Sequence, residues 1–274
     1  MPAPLSASNP RVITLRRLLG RRRARLEAGA FVIEGPLALT EAIVAAAPLR
    51  EVYVDDAAAR SAPPDSALGV GLAAAREAGV PVTELGVGVL QRVSDTITPQ
   101  DVLAVVERRP VPIEALVAAD GPVVVLAGVG DPGNAGTVVR TAEAAGAAGV
   151  LFCFDAVDPF GPKTVRAAAG SLFRILVAEN PTASSATALE ALRAGGRELI
   201  GTGARGGVDL DQRDLTAPFA LVLGSEARGL SAELETMLDS TVTIPMAGSV
   251  ESLNVAVAAA VVLFESARQH RRRR

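Results

Sequence analysis

Three short stretches carry the residues best suited to chemistry, and each begins where an apolar run meets a turn. Leu126-Ala127-Gly128-Val129-Gly130-Asp131-Pro132-Gly133-Asn134-Ala135-Gly136 leads to Arg140, one and a half turns of expected helix after Asn134. Ala220-Leu221-Val222-Leu223 runs into Gly224-Ser225-Glu226-Ala227-Arg228-Gly229-Leu230. The β-branched run Thr241 to Ile244 stops at Pro245, then passes through Met246-Ala247-Gly248-Ser249-Val250-Glu251-Ser252-Leu253-Asn254 into the apolar segment Val255 to Phe264. Ser252 and Asn254 stand where a helix start leaves backbone N–H groups without partners and side-chain oxygens are favoured. Glu226, next to a buried strand end, must find a main-chain N–H, an arginine or another subunit. Arg140 reads either as a clamp for phosphate or substrate, or as a surface partner of Glu143. Strand ends that feed helices through polar turns are where α/β proteins build ligand sites.

The first stretch has a competing reading. Gly128, Gly130 and Gly133 match the G-x-G-x-x-G of dinucleotide-binding folds, and Asp155 falls about twenty residues on, where a ribose-binding acid would stand. Against it, Pro132 stiffens the part of the loop that must wrap a pyrophosphate. The chain is also poor in acid/base residues: its only His is His270, its only Tyr is Tyr53 and its only Lys is Lys163.

Composition sets the frame. The chain has 274 residues, 49% hydrophobic, with no Trp and seven Phe. A core of Ala, Val and Leu suits helices packed tightly on a parallel sheet. Arg, Glu, Gly or Pro interrupts each apolar run before it reaches a membrane span, and the N-terminus lacks the order of a signal peptide. The single cysteine, Cys153, excludes an internal disulfide, and its apolar neighbours make it an inert core thiol. No metal site is expected, and the expected location is cytoplasmic. The net charge of −3 argues against nucleic acid, but seven arginines fall between Arg11 and Arg25 and the first acid after them is Glu27. That stretch is either a phosphate-tracking face or a solvated arginine-rich helix. His270 to Arg274 reads as a disordered basic tail.

The elements that must position these residues follow from periodicity. Asn9-Pro10 opens a helix with Val12, Leu15, Leu19 and Leu26 on one stripe. Strands are expected at Phe31–Ile33, Glu51–Val54, Pro81–Leu85 and within Ile97–Glu107, with helices at Leu37–Ala46, Ala67–Ala78 and Val89–Val93. This makes a small α/β domain, residues 1–107. Proline-bearing Arg108 to Gly121 reads as a linker. From 122 to 270, strands are expected at Val123–Ala127, Gly149–Phe154, Arg174–Val177, Glu198–Thr202, Ala220–Leu223 and Thr241–Ile244. Helices fill the gaps at Ala135–Ala145, Thr164–Gly170, Ala186–Ala194, Ala232–Leu238 and Leu253–Arg268. This alternation predicts an α/β fold with a parallel sheet covered on both faces.

Taken together, Asn134-x-Gly136-x-x-x-Arg140, Gly224-Ser225-Glu226-x-x-Gly229-Leu230 and Ile244-Pro245-Met246 with Ser252-Leu253-Asn254 resemble the signature of the SpoU (TrmH-like) ribose 2′-O-methyltransferases of the knotted SPOUT class. The resemblance covers Val123 to Gln269. The front domain, from Asn9-Pro10-Arg11 through Glu34-Gly35 to Ser94-Asp95-x-x-x-Pro99-Gln100, is similar to the family's L30e-like RNA-binding domain. The resemblance implies a trefoil knot, which pattern reasoning alone would discard. It also implies S-adenosylmethionine held on strand-end loops matching Thr202, Gly203, Leu223, Gly224, Ile244, Met246 and Leu253. Arg140 becomes the residue that acts on the ribose hydroxyl, with Asn134, Ser252 and Asn254 orienting the ribose and Glu226 ordering a loop or spanning a dimer. Arg11, Arg21, Arg22, Arg140, Lys163 and Arg166 become RNA contacts, and a homodimer through the C-terminal domain is implied. Ala168 stands where the family commonly has serine. The expected substrate is structured RNA, foremost ribosomal RNA. The alternatives are a tRNA 2′-O-methyltransferase, a non-catalytic RNA-binding factor of the same fold, and the nicotinamide enzyme.

Overall fold

Asn9 opens the first helix as expected. Its side chain accepts from the Arg11 N–H at 2.9 Å, and Pro10 takes the first helical position. A computed structural model describes residues 3–94, 96, 98–180, 184–250 and 252–273. Asp95, Ile97, Glu251 and Arg274, named above, lie outside the described residues. In the first hundred residues, α1 (Pro10–Gly20), α2 (Arg22–Ala28), β1 (Ala30–Glu34), α3 (Pro36–Val44) and β2 (Leu49–Asp55) come first. They are followed by α4 (Asp56–Ser61), α5 (Ala67–Glu77), β3 (Val82–Leu85), α6 (Val89–Val93) and β4 (Val102–Glu107). The sheet order is β1-β4-β2-β3, antiparallel except for the β2–β3 pair.

The second part is more regular. It runs α7 (Ile113–Ala118), β5 (Val123–Leu126), α8 (Pro132–Ala144), β6 (Gly149–Phe152), α9 (Pro162–Ala168) and β7 (Leu176–Glu179). It continues with α10 (Ser185–Ala194), β8 (Glu198–Thr202), β9 (Val208–Asp209), β10 (Phe219–Leu223), α11 (Ala232–Thr236), β11 (Ser240–Thr243) and α12 (Val255–Arg273). Seven strands order as β7-β6-β5-β10-β8-β11-β9, and every pairing is parallel. β5 and β10 are buried on both faces, which is why they read as unbroken apolar runs. β10 fills the slot between β5 and β8, so the strand ends carrying Gly128, Gly203 and Gly224 belong to neighbouring strands.

By contacts the chain forms two compact units, Met1–Arg109 with Phe160–Phe173, and Pro110–Pro159 with Arg174–Arg274. Here the structure departs from a contiguous division. Phe160–Phe173, including α9, clusters with the front unit, where Phe160 and Phe173 meet Phe31 at centroid separations of 5.0 and 6.3 Å. The expected linker also carries α7, whose Leu116 is fully buried in the core of the second unit with Val123, Leu189 and Leu199. Arg197 fastens that segment by donating to the carbonyls of Gly121 at 2.6 Å and Leu116 at 2.9 Å.

Other differences have local causes. Leu26 is 43% exposed, because the helix breaks at extended Arg21 and restarts out of phase with Val12, Leu15 and Leu19. The strand expected from Arg174 begins at Leu176, after a 3-10 turn at Ser171–Phe173. The C-terminal segment is helical through Arg273 rather than disordered. There Gln269 donates to the Arg213 carbonyl and accepts from the Leu215 N–H, and Arg273 reaches Asp214. No helix among the described residues is long and apolar enough to cross a membrane.

Candidate active site

The second unit gathers its polar side chains at the carboxyl ends of the parallel strands. After β5 the chain turns through Gly128, whose φ of +84° suits glycine. Asp131 then caps α8, its carboxylate accepting the Asn134 N–H at 2.7 Å, with Pro132 as the first helical residue. This settles the glycine pattern. Gly133 lies inside the helix, and the donors a pyrophosphate would need already face carboxylates: Asn134 N–H is taken by Asp131, and Gly130 N–H points at Glu226 at 3.4 Å. The loop is built around acidic side chains and offers no cradle for a phosphate.

Glu226 comes from the loop after β10. The Asn134 amide donates to its Oε1 at 2.9 Å. The Asn254 amide in turn donates to Asn134 Oδ1 at 2.9 Å, and Asn254 Oδ1 accepts the Ala256 N–H at 2.9 Å at the start of α12. The direction is forced: an ionised carboxylate only accepts, so each amide must turn its NH2 toward Glu226 and its oxygen away. The result is a one-way chain from the α12 backbone through Asn254 and Asn134 to Glu226, joining three segments. Burial alone would raise the Glu226 pKa. The Asn134 amide and the backbone N–H groups of Glu226, Gly130 and Asp131 outweigh it, and the carboxyl is held below its ordinary value.

Gly224 has a reason that its sequence setting does not reveal. A Cβ there would stand 2.3 Å from the Gly229 carbonyl carbon and 2.4 Å from the Leu230 nitrogen. The backbone that comes close is the loop's own, folded back by paired hydrogen bonds between Ser225 and Gly229 at 2.8 and 2.9 Å. Leu223 is likewise fully buried, and it meets the loop after β5 through its carbonyl, which accepts the Ala127 N–H at 2.8 Å.

Five of the seven expected cofactor residues, Thr202, Gly203, Ile244, Met246 and Leu253, line one cleft together with Ser252. Leu223 and Gly224 do not line it. Ala204, Val242 and Ala258 do, and no motif pointed to them. Among the described residues from Pro245 to Leu253, no peptide group is hydrogen-bonded to other backbone. Arg140 stands apart from the Asn134–Glu226–Asn254 cluster. It is exposed on α8, about 9 Å along the axis from Asn134 at the usual rise per residue. Among the described residues its guanidinium makes no hydrogen bond or ion pair, and Glu143 instead faces Arg174 at 3.4 Å.

In the front unit the arginines divide. Arg11 pairs with Glu51, donates to Thr83 at 2.8 Å and lies over the Tyr53 ring, so the fold already uses it. Arg25 is buried and donates to the Leu18 carbonyl at 2.6 Å and the Leu19 carbonyl at 3.2 Å, closing the end of α1. Arg22 is half-buried, and Arg23 pairs with Glu27. Arg16, Arg17 and Arg21 remain exposed. Lys163 is exposed on α9, whereas Arg166 faces buried Glu34 at 3.6 Å. Ala168 is fully buried, so a hydroxyl there would not face solvent. Among the described residues no three His, Cys, Asp or Glu side chains are grouped to hold a metal ion.

The chain matches the model of the SpoU rRNA Methylase family over residues 121–264, and that of the MRM3-like substrate binding domain over residues 9–104. It is 33% identical to the 23S rRNA (uridine(2479)-2′-O)-methyltransferase of Streptomyces viridochromogenes, over 97% of this chain and 92% of the relative. It is also 33% identical to the 23S rRNA (guanosine(2553)-2′-O)-methyltransferase RlmP of Bacillus subtilis, over 94% and 96%. Among solved structures, AdoMet-bound AviRb from Streptomyces viridochromogenes superposes with a TM-score of 0.81 at 32% identity, covering 96% and 98%. The AdoMet-bound rRNA methyltransferase from Sinorhizobium meliloti gives 0.81 at 30% identity, covering 97% of both chains.

Proposed function

We propose, from the premise that this chain belongs to the SpoU rRNA methylase family, a working account of how its residues carry out the family's reaction. The chain is an S-adenosylmethionine-dependent RNA 2′-O-methyltransferase, and ribosomal RNA is its substrate. The observation that carries the account is the one-way chain of side chains from Asn254 through Asn134 to Glu226.

The cleft lined by Thr202, Gly203, Ile244, Met246 and Leu253 fits the cofactor. Its side chains are largely apolar, and among the described residues from Pro245 to Leu253 the peptide groups are not tied to other backbone. Free backbone N–H and C=O groups can read an adenine edge without charge. When bound, S-adenosylmethionine supplies a methyl group on a positively charged sulfur. The ribose 2′-oxygen bonds to the methyl carbon as the carbon–sulfur bond breaks, the bonding pair stays on sulfur, and the hydroxyl proton passes to water.

The chain's residues place that hydroxyl. Asn134 and Asn254 are locked in orientation by Glu226 and by the α12 backbone, and Ser252 opens on the cleft. The exposed Arg140 guanidinium, with no partner of its own among the described residues, holds the substrate phosphate and polarises the 2′-hydroxyl. Glu226 orders the loops and is not the base, since its acceptor positions face Asn134 and Gly130.

Val257, Val261 and Phe264 are 49%, 37% and 47% exposed along one face of α12. An apolar stripe at this spacing is a packing face, and we assign it to a homodimer contact of the C-terminal unit. The trefoil knot and a cytoplasmic setting belong to the same reading.

Incubating the protein with methyl-labelled S-adenosylmethionine and ribosomal RNA tests this. Label should enter RNA and leave one phosphodiester resistant to alkali, because a methylated 2′-oxygen cannot attack its neighbour. Label on a base, with every linkage still alkali-labile, would refute the reaction type.

A further inference from the structure

The front unit holds a cavity of about 200 Å³ that no part of the methyl-transfer account uses. Its walls include Leu37, Val165 and Phe173, and Glu34, Gln100 and Arg166 supply polar groups. Phe173 is only half-buried although it packs on Phe31, so one side of its ring is left for another contact. In a chain with one Tyr, seven Phe and no Trp, an aromatic ring beside a cavity is a scarce stacking platform.

The polar end is unevenly satisfied. The Glu34 side chain is 97% buried. Its Oε1 accepts from Ser94 Oγ at 2.9 Å, Thr96 Oγ1 at 2.8 Å and the Gln100 N–H at 3.1 Å. Among the described residues its buried Oε2 has no hydrogen-bond donor, and the buried Arg166 Nη1 facing it has no acceptor. At 3.6 Å the two atoms form a loose ion pair beyond hydrogen-bond reach. A buried acceptor and a buried donor, side by side and each without a hydrogen bond, are costly unless something joins both.

We propose that this cavity takes an unstacked nucleobase of the substrate RNA, and that it favours a base with a ring N–H next to a carbonyl oxygen: guanine or uracil. The ring N–H donates to Glu34 Oε2, and the adjacent carbonyl accepts from the Arg166 guanidinium, whose side chain is 31% exposed and can turn to admit the base edge. Adenine and cytosine present a bare ring nitrogen where the N–H is required. Phe173 stacks on the base. Lys163, exposed three residues before Arg166 on α9 and therefore on the same side of the helix, meets a phosphate. The proposal rests on the RNA-methylating reading above, and it concerns a base bound away from the methyl-transfer cleft.

The test uses the full chain saturated with S-adenosylhomocysteine, so that nucleosides cannot occupy the cofactor cleft. Guanosine, uridine, adenosine and cytidine are then titrated by saturation-transfer NMR, and ribosomal RNA by filter binding. Guanosine and uridine should bind at least about tenfold tighter than adenosine and cytidine. Ala38→Phe, which fills the cavity from α3, should abolish that binding and weaken the RNA roughly tenfold, with S-adenosylhomocysteine affinity unchanged. Glu34→Gln should erase the preference. Equal binding of all four nucleosides overturns the proposal. So does undiminished nucleoside and RNA binding by folded Ala38→Phe, or failure of the wild-type chain to bind any nucleoside. If wild-type protein methylates no RNA yet shows the preference, the methyltransferase reading fails and the pocket stands.

Discussion

Asn254 donates to Asn134 across 120 residues of sequence, at 2.9 Å, and its other amide atom caps α12. One side chain therefore caps the start of a helix and orients the residue that faces Glu226. Asn254→Ala should lose both functions. We expect a stability loss of about 1 kcal/mol from the missing cap, or about 2–4 °C in melting temperature, with a fall in kcat much larger than that change explains. Calorimetry and initial rates on one preparation separate the two.

Glu226 gives a signed pH dependence. Its folded carboxyl is held below its ordinary value, so its stabilising contribution is complete above the unfolded range of about 4.3. That contribution is lost as pH falls through the lower folded value. Melting curves of wild type and Glu226→Gln should therefore differ at pH 7 and converge below about pH 4. A constant gap across that window would mean that the charge contributes nothing.

Gly224→Ala tests the loop crossing. The added methyl group would meet backbone atoms at 2.3 and 2.4 Å, and backbone cannot swing aside as a side chain does. We expect a cost of about 1–3 kcal/mol and a loosened Ser225–Gly229 turn, read as faster amide exchange at both residues.

Cys153 is 1% exposed, and burial first, then the nearby Asp155 charge, pushes its thiol up to about 11 against a hydrogen bond from Ser185. Native protein at pH 8 should resist a thiol reagent for hours, and unfolded protein should react at once. Fast reaction of the native chain would remove Cys153 from the core.

Much of this was legible in the sequence because it is local. The unbroken apolar runs of β5 and β10 and the Asn9-Pro10 start each depend on residues within a turn or a strand of one another. The motifs also named Asn134, Glu226 and Asn254 together, but only the folded chain shows that they form one directional path. What sequence hid is set by distant packing. Leu116 lies between prolines and reads as linker, yet it fills a core with Val123 and Leu189. The arginines of α1 and α2 look alike in sequence. Glu51 claims Arg11 and the α1 carbonyls claim Arg25, leaving others to solvent. Gly224 looked open to a ligand, whereas its space is filled by residues five and six positions ahead.

The central claim is that Arg140 acts on the substrate and not on the cofactor, because it does not line the strand-end cleft and its charge is unpaired among the described residues. The most direct measurement pairs methyl transfer to ribosomal RNA with calorimetric binding of S-adenosylmethionine in Arg140→Ala. We predict transfer reduced at least about a hundredfold, with cofactor affinity within about twofold of wild type. Transfer near the wild-type rate, or loss of cofactor binding in a folded variant, would contradict the account.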